Sequence, residues 1–276
     1  MFPWLRKRQT ERRFSGQTIV FGIHAGGLGD HLAYSFLPRL YKHYGADKVL
    51  LSSITNHGEP FSRNPEIPDL VWKDNPYLDG FTDETPNVGE LRWPLEDFFK
   101  IAKFSRSPVE CVAKLHGMEF PASGPGFDWM RPDVPYRPSA RPDFAGKTVV
   151  DARSTSQPFS TETIEKFVRY VCQWYQIDRS ELVVLTSLYA GQYGAEALQD
   201  LPRCQTRNLH EYIDIVHSAK NFLVSEAGGQ SVAAIVRERN TYVLCSSRFY
   251  NERCFVWPRN TYCVSGASSP GDAEWP

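Results

Sequence analysis

Apolar and polar residues form two recurring patterns along the chain from Thr18 onward. Short apolar runs, typical of buried strands, are separated by longer stretches in which apolar residues recur at helical spacing. A strand, a glycine-rich turn, a helix and a second strand in this order form a β-α-β unit, which requires a right-handed crossover and a parallel sheet. Up to residue 117 the pattern predicts strands at 18–23, 48–53 and within 75–83, and helices at 31–45, 95–104 and 108–117.

A proline-rich segment at 120–142 interrupts this rhythm. Because proline is excluded from helix interiors and central strands, we expect a domain boundary there. We therefore predict an α/β fold with a basic N-terminal tail (1–15) and two Rossmann-like α/β/α domains (16–140 and 141–276) that face each other across a ligand cleft. Beyond the prolines the pattern predicts strands at 147–152, 181–187, 221–226 and 241–247, and helices at 161–176, 194–201, 209–219 and 228–238.

Composition and charge narrow the class of protein. The 276 residues include 31 Lys and Arg against 32 Asp and Glu, which excludes a chain that acts mainly as a polycation on nucleic acid. No apolar run reaches the ~18 residues of a membrane span and no export signal is recognisable, so we expect a cytoplasmic protein with reduced cysteines. A disulfide among Cys245, Cys254 and Cys263 is the alternative. The cysteines and histidines show no metal-ligand spacing, so we expect no metal and no bound cofactor.

The N-terminal tail is strongly basic. Five Lys and Arg residues lie between positions 6 and 13, behind Phe2 and Trp4. Basic residues beside aromatic ones are typical of segments that bind anionic membrane surfaces. One interpretation is therefore a peripheral contact of residues 2–13 with the inner face of the membrane. The other is a solvated, frayed terminus.

The turn after the first strand is rich in glycine and is followed by an acid. It contains Gly26, Gly27 and Gly29, and Asp30 comes next. Leu32 stands where the dinucleotide-binding pattern needs its last glycine, and no Lys-Ser/Thr pair follows as in a phosphate-binding loop. Since a carboxylate repels phosphate, we interpret Asp30 as a general base, with a helix N-cap as the alternative.

Two loops in the second half are candidates for anion binding. Glu226 ends a predicted strand, and the glycine pair at 228–229 precedes a helix whose first backbone N–H groups can hold a diphosphate. The alternative is a tight turn that needs small residues for packing. The loop at 151–162 carries many hydroxyl groups beside Arg153, and it either binds phosphate or only caps the next helix through Ser160.

Four segments, in the same order, resemble the heptosyltransferase-like glycosyltransferases of family 9, which have the two-domain GT-B fold. GGLGDHLAYSFLPRLYKHYGADKVLLSS resembles the opening Leu-Gly-Asp turn and helix of that family, and LVWKDNPYLDGFTD resembles its Asn-Pro-Tyr-x-Asp segment. VVDARSTSQPFSTETIEKFV resembles the first strand, hydroxyl loop and helix of its nucleotide domain. NLHEYIDIVHSAKNFLVSEAGGQSVAAIV resembles its closing signature, so the similarity extends over about residues 18–247.

The resemblance implies roles for the matching residues. Asp30 is the expected catalytic base, and His24 and His31, which flank the glycine turn, either share the acid and base work or are structural. Two positions depart from the family pattern, since Glu226 replaces an aspartate and Ser231 replaces a histidine. Residues expected to bind the donor are Arg153, Ser154, Thr155, Glu226, Gly228, Gly229, Gln230 and Ser231.

The function implied by the resemblance is that of an inverting, metal-independent glycosyltransferase. It transfers a sugar from a nucleotide-sugar donor, bound by the second domain, to a glycan or lipid-linked cell-envelope acceptor on the first domain. Two alternatives stay open: a non-catalytic GT-B-like binding or scaffold protein, and another GT-B enzyme such as a fucosyltransferase-like protein or a sugar-nucleotide epimerase. Nucleic acid is not an expected partner, because the arginines are dispersed and no aromatic-basic motif is present.

Overall fold

The fold is described from a computed structural model of the chain. The chain divides into two compact units, Met1–Tyr136 and Arg137–Pro276, so the division lies within the proline-rich segment and slightly before residue 140. Among the described residues, no helix is long and apolar enough to cross a membrane. The structure describes residues 13–23, 26–54, 61–88, 101–121, 128, 131–151, 159–187, 197–238, 240–251 and 256–265.

The first unit contains a parallel three-stranded sheet. Its strands are β1 (Thr18–Phe21), β2 (Lys48–Ser52) and β3 (Gly80–Thr82), in the order β1-β2-β3. Its helices are α1 (Leu28–Tyr34), α2 (Leu37–His43), α3 (Glu66–Val71) and α4 (Pro108–Leu115). The three predicted strands and the helix predicted at 108–117 are confirmed. The pattern does not predict α3, and most of the helix predicted at 95–104 lies outside the described residues.

The helix predicted at 31–45 is in fact two helices. The chain turns at residues 35–36, between α1 and α2. Pro38 explains the break, because it has no N–H to donate to the Tyr34 carbonyl and its ring crowds the preceding turn. The predicted end is confirmed, since Gly45 follows the last turn of α2 with a φ of +91°, a conformation that favours glycine.

The outer edge of β1 is covered by Asn87. Its Oδ1 accepts the Val20 N–H at 2.8 Å, its Nδ2 donates to Thr18 O at 2.9 Å, and its own N–H donates to Val20 O at 2.9 Å. One residue thus supplies β1 with the hydrogen bonds that a neighbouring strand would supply. Beneath the sheet, Phe21 packs against Tyr41 and Trp72, with ring centroids 6.3 and 6.0 Å apart.

The second unit contains a parallel six-stranded sheet in the order β6-β5-β4-β7-β8-β9, which is the strand order of a Rossmann fold. β4 and β7 are buried at every position, as expected for central strands of a parallel sheet. The strands are β4 (Thr148–Asp151), β5 (Leu182–Ser187), β6 (Arg203–Thr206), β7 (Asn221–Ser225), β8 (Thr241–Ser246) and β9 (Thr261–Ser265). The helices are α5 (Thr161–Trp174), α6 (Leu209–Ser218), α7 (Gly228–Val236) and α8 (Ser247–Asn251).

The four strands predicted for this unit are confirmed, and so are the helices that became α5, α6 and α7. The pattern misses β6 and β9, which lie at the two edges of the sheet and are only partly apolar. An edge strand exposes one side to water, so it lacks the continuous apolar run of a central strand. The helix predicted at 194–201 is wrong for its described part, because residues 197–200 form a turn in which Leu198 has a φ of +59°.

Helix α6 is anchored at its start by a reciprocal cap. Asn208 Oδ1 accepts the Glu211 N–H at 2.8 Å, and Glu211 Oε2 accepts the Arg207 N–H at 2.8 Å. The guanidinium of Arg207 lies 3.0 Å from the Glu211 carboxylate and that of Arg141 3.1 Å. The hydrogen bonds from Arg207, followed by those from Arg141, lower the pKa of Glu211 to about 2.

The chain that enters the second unit runs along the same helix. The Ser139 N–H donates to Asp214 Oδ1 at 2.8 Å, and the Arg141 N–H donates to Ser218 Oγ at 2.7 Å. At the other end of α6, Arg237 donates to Ala219 O at 2.7 Å and Lys220 O at 3.2 Å. A cation at this position complements the partial negative charge of the helix C-terminus.

We predict that Glu211→Gln lowers the free energy of unfolding by about 1 kcal/mol at pH 7, because the variant weakens the cap and both arginine contacts. The folded pKa of about 2 lies below the ordinary value of 4.5 for a glutamate, so the stabilisation is complete above about pH 4.5 and is lost as the pH falls towards 2. Urea unfolding of both proteins at pH 7 and pH 3 measures the difference, which should shrink at pH 3.

Glu162→Gln is the matched control for this experiment. Glu162 forms an exposed ion pair with Lys166, with Oε1 3.0 Å from Nζ, and such pairs contribute less than about 1 kcal/mol. A loss of stability for Glu211→Gln that is no larger than the control's, or that is the same at pH 3 and pH 7, would contradict the assigned role.

Candidate functional site

Asp30 lies in the first turn of α1, at the carboxyl end of β1. The N-cap of this helix is Gly27, with φ −77° and ψ 152°, so the alternative of Asp30 as the N-cap is wrong. The carboxylate is partly buried and folds back over Gly27: a Cβ on that glycine would lie 2.7 Å from Asp30 Oδ2. The absence of a side chain at Gly27 therefore makes room for the Asp30 carboxylate.

The other two glycines of the turn have different surroundings. Gly26 is buried, and its carbonyl accepts the Arg63 N–H at 2.9 Å, which ties the turn to the segment before α3. Gly29 lies within the first turn of α1. Of the predicted glycine loop, Gly27 is thus the one that controls the space around the acid.

His31 is fully buried and has protein partners on both ring nitrogens. Its Nδ1 accepts the indole N–H of Trp72 at 2.7 Å, so Nε2 carries the proton and donates to Phe61 O at 2.9 Å. Burial lowers the pKa of His31 to about 4, against a weaker opposite effect of the Phe61 hydrogen bond. A neutral imidazole with both nitrogens engaged has no capacity for acid or base work, so the structural alternative replaces the catalytic role expected for His31.

Four predicted site residues lie outside the described residues. They are His24, before the glycine turn, and Arg153, Ser154 and Thr155, in the loop after β4. Their assigned roles stay predictions. The cap predicted at the end of that loop is present, because Ser160 Oγ accepts the Thr163 N–H at 3.1 Å.

The centre of the second sheet is the point where the strand order reverses. From β4 the chain adds β5 and β6 on one side, and it then places β7, β8 and β9 on the other. In sheets of this kind, ligands bind beyond the carboxyl ends of the strands at the reversal. Asp151 ends β4 there, and Glu226 directly follows β7. The described donor-binding candidates, Glu226 and the glycine pair at 228–229, are therefore located where this rule expects a ligand.

Glu226 is a buried carboxyl group, only 2% exposed. Its Oε2 accepts the Ser246 N–H at 2.8 Å, and the Ser246 hydroxyl lies 3.2 Å from Oε1. Burial outweighs these hydrogen bonds and raises the pKa of Glu226 to about 7. Near neutral pH this side chain therefore exists both as an acceptor and, when protonated, as a hydrogen-bond donor.

A second buried carboxylate, Asp151, faces the start of α7. The Tyr212 hydroxyl of α6 donates to Asp151 Oδ2 at 2.8 Å. A Cβ on Gly229 would collide with that hydroxyl and would lie 3.0 Å from Val224 Cγ2 and 3.6 Å from Asp151 Oδ2. Gly229 is thus required by packing, in agreement with the tight-turn alternative. The role of Tyr212 could not be predicted from the sequence, because its partners are distant along the chain.

Gln230 and Ser231 are buried, and their hydrogen-bond partners lie at residues 257–262. Ser231 Oγ accepts the indole N–H of Trp257 at 3.0 Å, and Gln230 Oε1 accepts the Tyr262 hydroxyl at 2.9 Å. Asn260 also donates to Gln230 O at 3.0 Å. The two side chains therefore join α7 to the segment around β9, and their expected contact with a donor stays a prediction.

Metal-ligating side chains are not grouped in the part of the chain that the structure describes: no three of its His, Cys, Asp and Glu residues come together in a set that could hold an ion. The carboxyl groups of Asp151 and Glu226, at the reversal point of the sheet, accept hydrogen bonds from Tyr212 and Ser246. The described polar groups at the reversal point are thus hydroxyl and carboxyl groups with defined protein partners.

Two solved structures share this fold. The dodecameric iron-containing glycosyltransferase TibC from enterotoxigenic E. coli H10407 matches with a TM-score of 0.58 at 14% identity, over 95% of this chain and 71% of that chain. TibC in complex with ADP-D-β-D-heptose matches with a TM-score of 0.56 at 14% identity, over 94% and 66%. A family 9 glycosyl transferase from Veillonella parvula DSM 2008 matches with a TM-score of 0.48 at 7% identity, over 91% of this chain and 87% of that chain. No protein-family model and no curated protein matches the sequence.

At this level of identity the likeness establishes the fold. The resemblance inferred from the four sequence segments is confirmed as a likeness to heptosyltransferase structures, with a mixed α/β architecture and parallel sheets. The chain spans 71% and 66% of the length of the two TibC chains. The activity, substrates and partners of the whole protein are therefore proposals.

We predict that His31 makes the first unit sensitive to acid. Its folded pKa of about 4 lies below the ordinary value of 6.5 for a histidine, so the unfolded chain takes up a proton that the folded chain does not. Stability is complete above about pH 6.5 and falls as the pH drops towards 4, by about 1 kcal/mol between pH 7.5 and 5.5. Urea unfolding at several pH values should show a smaller pH slope of the free energy of unfolding for His31→Gln than for the wild-type protein. An unchanged slope in His31→Gln would refute the assignment.

We predict that Gly229→Ala destabilises the second unit by about 1–3 kcal/mol, because the new methyl group displaces the Tyr212 hydroxyl. Tyr212→Phe removes that hydroxyl, so the double variant should be more stable than the sum of the single effects by about 1 kcal/mol. Thermal and urea unfolding of the four proteins give the coupling energy. Strict additivity would show that the clash at residue 229 lies elsewhere.

Proposed function

We propose that this protein is an inverting, metal-independent glycosyltransferase that moves a sugar from a nucleotide-sugar donor to a glycan or cell-envelope acceptor. The observation that carries the proposal is the Rossmann sheet of the second unit with polar residues at its reversal point, within a fold shared with TibC. TibC is described as a heptosyltransferase in complex with ADP-D-β-D-heptose, which supports an ADP-sugar as the first donor to test.

The proposed chemistry assigns the proton transfer to Asp30. The carboxylate takes the proton of the acceptor hydroxyl as that oxygen bonds to the anomeric carbon, while the bond from the anomeric carbon to the diphosphate breaks. The nucleoside diphosphate leaves with the bonding electrons. Hydrogen-bond donors placed before the reaction stabilise the leaving group without reorganisation, and we assign this role to Arg153, Ser154 and Thr155, in the loop after β4.

The proposal requires the two units to face each other across a cleft, with the acceptor on the first and the donor on the second. Glu226 is then suited to bind hydroxyl groups of the donor, since its buried carboxyl group both accepts and donates near neutral pH. Asp151 repels phosphate, so the diphosphate is expected closer to the loop after β4 than to the Asp151 side chain.

Metal independence and the lack of a bound cofactor are parts of the same proposal. TibC is described as iron-containing, so the role of a metal needs its own test. Transfer by this protein should survive treatment with EDTA and should not rise when ferrous iron is added. A loss of transfer with EDTA that iron restores would overturn this part.

Contact of the basic tail with an anionic membrane surface is a further part of the proposal. Residues 1–12 lie outside the described residues, and Arg13 is the first described residue of the tail. Its guanidinium donates to Gly117 O at 2.7 Å, which fixes the point where the tail joins the first unit. Co-sedimentation with phosphatidylserine vesicles, lost on deletion of residues 2–12, tests it.

A second candidate is a non-catalytic binding protein on the same fold. It is favoured by one observation: Ser231, which stands where the related family has a histidine, is buried and bonded to Trp257. Such a protein would bind a nucleotide sugar without turnover. Thermal shift with a panel of nucleotides and nucleotide sugars, followed by product analysis, separates the two candidates.

Asp30→Asn tests the proposed base. We predict that the variant transfers sugar at least about 100-fold more slowly than wild type, because the amide cannot take the proton, while the thermal shift by ADP-heptose stays unchanged. Asp74→Asn, an exposed acid of the same unit, is the control and should retain full activity. Undiminished transfer by Asp30→Asn would remove Asp30 from the mechanism, and loss of the thermal shift would indicate a binding role.

A further inference from the structure

One row of side chains on the first sheet begins in the core and ends in solvent. Phe21, Leu51 and Phe81 are in register across β1, β2 and β3, so their side chains lie on one face of the sheet. Phe21 and Leu51 are fully buried, whereas Phe81 is 50% exposed. The apolar face of the sheet thus continues beyond the core at β3.

A second aromatic ring extends this surface. The rings of Phe61 and Phe81 are perpendicular, with centroids 6.2 Å apart, and Phe61 is itself partly exposed. We call these two residues the aromatic ledge. An exposed phenylalanine alone needs no explanation. This pair, however, is joined to the helix that carries a candidate catalytic group.

The aromatic ledge is held at a fixed place relative to Asp30. The next residue, His31, donates to Phe61 O at 2.9 Å, and its ring lies 5.3 Å from the Phe61 ring, edge to face. On its other nitrogen His31 is bonded to Trp72. The ledge and the first turn of α1 are therefore joined through one rigid, buried side chain.

Two acidic residues follow Phe81 closely along the chain, at the carboxyl edge of the sheet. Asp83 and Glu84 follow β3 and are exposed, and the segment is held by Ser53, which donates to Asp83 Oδ1, and by Ser52, which donates to Glu84 O at 2.6 Å. Among the described residues of this region, the three acids Asp83, Glu84 and Asp30 outnumber the one base, Arg63, whose N–H donates to Gly26 O. A phosphorylated or otherwise anionic ligand is disfavoured there, whereas hydroxyl groups can donate to the carboxylates.

We propose that the aromatic ledge binds the acceptor, and that this acceptor is a neutral oligosaccharide. The C–H face of a sugar ring packs on the exposed part of Phe81, and its hydroxyl groups face Asp83 and Glu84, which brings the chain of sugars to Asp30. This inference rests on the proposed function, since only a glycosyltransferase has an acceptor. It adds the chemical class of that acceptor and the residues that select it.

Equilibrium binding in the absence of donor tests this inference separately from transfer. The probes are neutral mannotetraose, maltotetraose and chitotetraose, each compared with a 6-phosphorylated counterpart, and the method is saturation-transfer NMR followed by calorimetry. Wild type should bind at least one neutral tetrasaccharide, and at least 10-fold more tightly than its phosphorylated form. Phe81→Ala should weaken that binding at least 10-fold without changing the melting temperature.

Matched variants distinguish the ledge from general surface effects. Phe104→Ala removes another phenylalanine of the same unit, 77% exposed, and should leave binding unchanged. Asp83→Asn with Glu84→Gln should improve binding of the phosphorylated probe at least 5-fold. The inference is overturned if wild type binds none of the neutral probes, if it prefers the phosphorylated ones, or if Phe81→Ala binds as wild type does. Binding through Phe81 with no transfer from any nucleotide sugar would instead refute the proposed function.

Discussion

The buried imidazole of His31 is the contact on which the arrangement of the first unit depends. A neutral histidine has one donor and one acceptor, and here each is used once: the acceptor takes the Trp72 indole and the donor holds the Phe61 carbonyl. Three pieces distant in the sequence are joined in this way. They are the first turn of α1, the segment that enters α3, and the residue that follows α3. The position of Asp30 relative to its surroundings is therefore set by a residue with no chemistry of its own to perform.

In the second unit, charged side chains rather than a neutral histidine ring fix the elements around the candidate site. Helix α6 is fixed at its start by Glu211 and two arginines and at its end by Arg237, whose own pKa is lowered to about 10 by burial. Tyr212 belongs to the first turn of this helix, so its hydroxyl reaches Asp151 only while the start of α6 stays in place. The geometry at the reversal point thus depends on the ion pairs of the preceding residue, Glu211.

The sequence could predict the elements whose pattern is local. Central strands such as β4 and β7 are continuous apolar runs, and caps such as Ser160 lie within three residues of their partners. The edge strands β6 and β9 were harder to predict from the sequence, because an edge strand has no apolar run. The break before Pro38 was harder to predict because a proline is also tolerated at the start of a helix. For the candidate site, the positions of Asp30, Glu226 and the glycines next to predicted strands could be read from the sequence pattern. The bond between Tyr212 and Asp151 spans 61 positions and leaves no local pattern. For His31 the sequence left a catalytic and a structural role open, because burial is a property of the packed unit.

Asn87 has a consequence for how this protein behaves at high concentration. An unpaired outer strand with free N–H and C=O groups is a template for another chain, and proteins commonly block such strands. In β1 the amide of Asn87 already occupies the Val20 N–H and the Thr18 carbonyl, and its backbone N–H occupies the Val20 carbonyl, so an incoming strand would have to displace a residue bonded at three points. Within the part of the chain that the structure describes, one loop residue thus protects this side of the sheet against self-association.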